Sequence, residues 1–265
     1  MSEQGEGDPQ RRLEGRRILV VGAGTATHGQ DDPPPGNGRA IAVTAARLGA
    51  SVACADLDGD AANRTADLVR DEGGQAEVIV ADVSEPDACT EMVATATDRL
   101  GGLDGLVCNV GIGAGSWLAG TTPEDWDQVF AVNTRSHFLS CRAALPVLAD
   151  GSSIVLVSSV AGLRPGSRIP AYDASKAALA GLCRHVAFEG ARRQIRANVV
   201  APGLIDTPLG RLATQGRPSR AKAPVALGRQ GTAWEVAAPV VFLLSSEASY
   251  VTGQVLAVDG GLSTL

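Results

Sequence analysis

The chain has 265 residues, 45% of them hydrophobic and 20% charged, the balance of a globular domain with a sizeable core. Its formal net charge of −6 argues against a nucleic-acid groove or a surface for anionic membranes, and aromatics at 3% leave the core to Ala, Val, Leu and Ile. The five cysteines (Cys54, Cys89, Cys108, Cys141 and Cys183) form no C-x-x-C pair, so they read as small buried hydrophobes in a reducing, cytoplasmic setting.

Residues 1–14 open polar and acidic, MSEQGEGDPQRR, and read as a disordered tail, not a signal peptide. RRILVVG predicts a strand over 17–21, and GRAIAVTAARLGA a helix from about Arg39, closed by Gly49. SVACAD gives a second strand ending at Asp56. The helix DGDAANRTADLVRDEGG follows it and stops at Gly73 and Gly74. AEVIVAD is a third strand, and the helix after it takes Ser84 as its N-cap and Pro86 in its first turn. GLVCNVG, SSIVLVSS, IRANVVAPG and VLAVDGG complete seven apolar runs, continuous as in strands covered on both faces. The alternation predicts an α/β, Rossmann-like doubly wound sheet of seven parallel strands, with three α/β/α layers in one domain over 15–265. The stretch 204–232 holds Pro208, Pro218 and Pro224 without sheet periodicity and reads as a substrate loop.

Two constellations carry chemistry. The first runs from Gly22 to Arg39, GAGTATHGQDDPPPGNGR. Glycines between a strand and a helix let the backbone approach a pyrophosphate seated on the helix N-terminus. Gly22 follows the first strand, and Gly36 and Gly38 open the helix. Asp56 lies 34 residues after Gly22; without a ten-residue insert, 26–35, the spacing approaches the roughly 20 expected of a ribose-binding acid. A carboxylate there accepts from ribose hydroxyls and repels a 2′-phosphate, which favours NAD(H) over NADP(H). The second is YDASK, in which Tyr172 and Lys176 share a helix face and the ammonium can stabilise a phenolate. Ser159, at a strand end, can hydrogen-bond a substrate oxygen.

Together these residues resemble the short-chain dehydrogenase/reductase family in its single-domain branch, from about Arg17 to the C-terminus. The family's serine precedes its tyrosine by thirteen residues, as Ser159 precedes Tyr172, and its V-N segment is matched at Asn133. The resemblance implies a catalytic set of Asn133, Ser159, Tyr172 and Lys176, with Asn133 holding a water that links Lys176 to solvent. It implies dinucleotide contacts at Gly22, Thr25, Asn37, Gly38, Asp56, Leu57, Asp82, Val83, Asn109, Val110, Gly111, Pro202, Gly203, Ile205 and Thr207, besides Tyr172 and Lys176. Three departures stand out: CNVG at Cys108–Gly111 in place of N-N-A-G, Val21 in place of threonine, and the insert. The activity implied is hydride transfer between NAD(P)(H) and a secondary alcohol or ketone. Reduction of 3-oxoacyl groups on a carrier protein and non-catalytic nucleotide sensing are the alternatives.

Secondary readings stay open. Trp117 sits in the loop after the fourth strand, where it would contact substrate or simply pack. Arg164 and Arg168 lie where they could meet an anionic substrate, with plain solvation the simpler reading. His28, Asp31 and Asp32 have no fixed ligand spacing, so no metal is expected. Asp31 and Asp32 should point away from the pyrophosphate. The expected partners are a small molecule and copies of the chain, as a homotetramer or homodimer through helices near 123–149 and 172–194. Neither nucleic acid nor membrane is expected.

Overall fold

The computed structural model describes residues 12–30, 32–214 and 225–265. Seven strands form one parallel sheet: β1 (Arg17–Val21), β2 (Ser51–Asp56), β3 (Gln75–Val80), β4 (Leu103–Cys108), β5 (Leu148–Val157), β6 (Arg196–Pro202) and β9 (Val255–Val258), in the spatial order β3-β2-β1-β4-β5-β6-β9. The central strands bury both faces, so their residues alternate between two cores, whereas the edge strands β3 and β9 are partly exposed. Ile18, Val20, Val52, Cys54, Val107, Val155 and Val200 face one layer; Leu19, Val21, Ala53, Leu106, Ile154, Leu156 and Val199 face the other.

The first layer holds α1 (Asn37–Arg47) and α8 (Ala233–Leu244), with α2 (Gly59–Asp71) packed on α1 through Val43, Ala66 and Val69. The second layer holds α3 (Pro86–Leu100), α5 (Ser136–Val147) and α6 (Pro170–Gly190). Before α5, α4 (Pro123–Phe130) starts with a Thr122 capping box and runs into a π-helical turn, Ala131–Arg135. Among the described residues, no helix is long and apolar enough to cross a membrane.

Four expectations need correction. The tail does not reach residue 14: Leu13 is fully buried in the core, its N–H donates to Leu48 O, and Arg12 pairs with Glu247. Residues 1–11 lie outside the described residues. The helix α1 begins at Asn37, two residues early, because Gly36 already takes the extended cap conformation. The N-cap of α3 is Glu85, not Ser84, whose N–H and hydroxyl both turn back to Asp82. Finally, 204–232 is not wholly irregular. It holds α7 (Pro208–Thr214) and a two-stranded parallel ladder between β7 (Ile205–Asp206) and β8 (Gly231–Thr232), with 215–224 outside the described residues.

Candidate active site

The strand order reverses between β1 and β4, so their carboxyl ends diverge into a crevice, the place where open α/β sheets hold ligands. Asn109, just past β4, bridges the crevice floor: its Nδ2 donates to Gly22 O at 2.9 Å and its N–H to Val21 O. Gly22 has φ +80°, and Gly38 approaches so closely that a Cβ there would lie 1.8 Å from Gly22 O. Both positions therefore require glycine. Val110 lies against Gly22, and Gly111 lies against the Lys176 ammonium.

The insert leaves this turn closed. Thr25, almost fully buried, accepts the Gly36 N–H on its Oγ1 at 2.9 Å, so one hydrogen bond joins the two ends of the detour. The excursion turns at His28 and Gly29, both at positive φ, and Gln30 Nε2 reaches Pro208 O of α7 at 3.4 Å. Asp32 lies near Arg211 of the same helix and helps hold its guanidinium charged, second to its direct partner Asp206. Asp31 falls outside the described residues.

On the far side of the crevice, Asp56 ends β2. Its Oδ2 accepts from Gly24 N at 2.8 Å and its Oδ1 from Asp58 N, which holds the carboxylate beside the glycine turn. Leu57 beside it is exposed. After β3, Asp82 accepts from Ser84 N and Oγ, bonds that hold its carboxyl below the usual range, and Val83 is buried. These four residues lie at the outer strand ends and do not line the cavity that Ser159 and Tyr172 share.

That cavity, about 820 Å³, opens beyond β5 and β6. Asn37, Ser159, Tyr172, Pro202, Gly203, Ile205 and Thr207 all line it. Ser159 leaves β5 in an extended conformation and caps the short 3-10 turn at Val160–Gly162, its Oγ accepting from Ala161 N at 3.1 Å. Thr207 Oγ1 accepts from Gly210 N and so caps α7.

Lys176, one turn after Tyr172, is buried, and its Nζ donates to Val110 O and Val157 O at 3.0 Å each. Burial pushes its ammonium down to about 8. With three donors and two carbonyls, one N–H remains for a ligand. The Nζ lies 6.0 Å from the Tyr172 ring centroid. His137, fully buried nearby, is held well below the usual imidazole range, first by burial and then by the Lys176 charge, and so stays neutral.

Asn133 sits on the π-helical turn with no exposure. Its Oδ1 accepts from Ile112 N at 2.8 Å, and its Nδ2 donates to Ile112 O and Ser175 Oγ. The amide thereby fastens the loop after β4 to α6. The fastening residues themselves gave no sequence signal. Ser158 Oγ donates to Lys176 O, Ser175 Oγ to Tyr172 O, and Thr134 Oγ1 to Ser175 O. A serine beside a catalytic-looking serine, or inside Y-x-x-x-K, looks like any helix or strand residue until the elements meet.

The residues fit a dinucleotide. Asn37 Oδ1, at the α1 N-terminus, is buried without a hydrogen-bond partner and lines the cavity. A bound polar group would complete it, beside the free N–H groups of the helix start. Among the described residues, no group of side chains suits a metal ion.

Comparison with known proteins agrees with this geometry. The family model described as Enoyl-(Acyl carrier protein) reductase matches residues 35–263, starting at the last residue of the insert. A 3-oxoacyl-[acyl-carrier-protein] reductase FabG from Thermotoga maritima is 35% identical over 95% of this chain and 99% of its own. The crystal structure of a putative short-chain dehydrogenase/reductase from Burkholderia xenovorans superimposes with a TM-score of 0.86 at 35% identity, covering 96% of this chain and 98% of that one. A putative 2-deoxy-d-gluconate 3-dehydrogenase from Agrobacterium tumefaciens, solved with bound NADP, gives 0.84 at 33% identity, covering 96% and 99%.

Proposed function

Because the chain belongs to the short-chain dehydrogenase/reductase family and is an NAD(P)-dependent oxidoreductase acting on CH–OH or carbonyl groups, we propose that it interconverts a secondary alcohol and its ketone through Ser159, Tyr172, Lys176 and Asn133, with NAD(H) preferred. The observation that carries this reading is the convergence of Ser159 and Tyr172 on one cavity, with a buried Lys176 one helical turn behind. When bound, the nicotinamide supplies or accepts the hydride. The chain's own residues handle the oxygen and the proton. Ser159 and Tyr172 hydrogen-bond the carbonyl or hydroxyl oxygen, and the Tyr172 hydroxyl gives up or receives the proton at that oxygen. Lys176, pinned by two backbone carbonyls, keeps one N–H for the nicotinamide ribose, and its charge favours the phenolate. Asn133 fixes the loop on which Val110 and Gly111 sit and holds α6 through Ser175.

The preference for NAD(H) is supported by Asp56. Its carboxylate, fixed against Gly24, would face the adenosine ribose and oppose a 2′-phosphate. The dinucleotide contacts proposed are Gly22, Thr25, Asn37, Gly38, Asp56, Leu57, Asp82, Val83, Asn109, Val110, Gly111, Pro202, Gly203, Ile205 and Thr207. The 3-oxoacyl carrier reading keeps its place because the Thermotoga relative bears that name. A homotetramer is supported by apolar side chains left exposed on α4, α5 and α6: Trp126, Phe138, Val147 and Phe188. A reducing, cytoplasmic location is supported by five buried free thiols.

The test is Tyr172→Phe, assayed with NAD(H) and NADP(H) against a panel of secondary alcohols and ketones. Turnover should fall by about a thousandfold or more while NADH binding, read by fluorescence, is kept. Turnover within tenfold of the parent would remove Tyr172 from its role.

A further inference from the structure

The cavity beside Ser159 and Tyr172 carries an uneven charge. Among the described residues that line it, the charged ones are two arginines, Arg164 and Arg168, and there is no Asp, Glu or Lys. Other arginines around the cavity mouth are neutralised: Arg211 is paired with Asp206, and Arg229 with Glu235. Arg164 and Arg168 have no carboxylate partner among the described residues. The segment that carries them runs from Ser159 to Tyr172, at the reactive end of the site and away from Asp56.

Arg168 is also held in a built position. It has φ +70°, and Trp117 on the opposite loop has φ +57°; both are left-handed conformations that side chains with a Cβ rarely adopt. The two strained residues meet each other. Trp117 N–H donates to Arg168 O at 2.8 Å, and the Arg168 guanidinium stacks over the indole with Cζ 5.4 Å from the ring centroid. Strain of this kind persists where the surroundings over-determine a geometry, and it concentrates at binding sites. Stacking uses the flat face of a guanidinium and leaves its in-plane N–H groups, which match the two oxygens of a carboxylate. Arg164 is anchored at one nitrogen by the Leu262 carbonyl.

From this geometry we propose that the substrate is an anionic ketone or alcohol, a carbonyl compound with a carboxylate-type group at its far end, which Arg168 receives with Arg164 beside it. Trp117 is the platform that orients Arg168. This rests on the oxidoreductase reading above and narrows its substrate class. Hydride transfer at the carbon leaves the acidic group unchanged; that group sets the position of the chain in the cavity. A neutral ketone of equal length lacks the anchor, so discrimination falls on kcat/KM.

The experiment compares matched ketones in the intact protein: 4-oxopentanoate, 5-oxohexanoate and 6-oxoheptanoate, each against its methyl ester, with NADH and NADPH. At least one acid should exceed its ester by about tenfold or more in kcat/KM, and the advantage should shrink as salt is raised. Arg168→Gln and Arg164→Gln should bring the acid-to-ester ratio towards one, and because that ratio is taken within one protein it does not depend on the fraction folded. Wild-type ratios at or below one for all three pairs would overturn the proposal, as would a ratio unchanged in both variants. A loss of NADH affinity of tenfold or more in Arg168→Gln would also overturn it, by assigning the arginine to the dinucleotide. Absence of turnover with every acid, ester and neutral ketone is a different result, and it sinks the oxidoreductase reading instead.

Discussion

Lys176 offers the sharpest quantitative test, because its burial has a consequence for folding as well as for chemistry. Its ammonium is lowered from 10.5 to about 8, chiefly by burial. A base whose folded-state pKa is depressed penalises the native state at low pH. Below about pH 8 both states are protonated and the full penalty stands, on the order of 3 kcal/mol. Between about 8 and 10.5 the unfolded chain still holds a proton that the folded one has released, so stability rises with pH in that window. At about pH 9.5 wild type should have recovered roughly 2 kcal/mol of the penalty relative to pH 7. Lys176→Met fills the same space without a charge. It relieves the penalty but strands Val110 O and Val157 O, at about 1 kcal/mol each, so near pH 7 the two proteins should differ little. Urea melts of the ligand-free proteins at both pH values should then show the variant falling behind by about 2 kcal/mol at the higher pH. Cys54 and Cys183, pushed up to about 12 by burial, act with the opposite sign above their normal range, but they are common to both proteins and cancel in the difference. A wild-type-to-variant difference that does not change with pH would refute the depressed lysine and, with it, the assigned environment.

Three other outcomes follow from single contacts. Gly38→Ala places a Cβ 1.8 Å from Gly22 O, so it should abolish dinucleotide binding in a fluorescence titration and cost about 3 kcal/mol or more in a thermal melt, as the helix start is pushed off the turn. Asn133→Ala leaves the N–H and C=O of the half-buried Ile112 without their partner and takes one of two bonds from the Ser175 hydroxyl; it should destabilise by roughly 1–3 kcal/mol and lower kcat more than it raises KM for the dinucleotide. Excision of residues 26–35 should keep NAD(H) affinity within about threefold, because Thr25 and Gly36 already touch. A thirtyfold loss by calorimetry would show that the insert forms part of the site.

The seven-stranded sheet was legible because its central strands, covered on both faces, had to be written as short continuous apolar runs. The proposed reactive residues were legible because Ser159, Tyr172 and Lys176 carry their spacing along one strand end and one helix. Residues whose roles depend on what arrives from elsewhere were not. Leu13 looked like part of a polar tail, yet it enters the core when Leu48 comes beside it. Ser158 and Ser175 became fasteners only when β5, α6 and the π-helical turn met. The glycine turn shows both sides of this. Local sequence determined that Gly22 and Gly38 belong to one motif, since only glycine admits that φ and that approach. Only the folded chain decided that the turn closes across ten intervening residues, with a hydrogen bond from Gly36 N to Thr25 Oγ1 spanning the gap. Local rules fix what a residue can do within its own turn or strand. Contacts between distant segments decide which of those capacities is used, and no spacing along the chain encodes them.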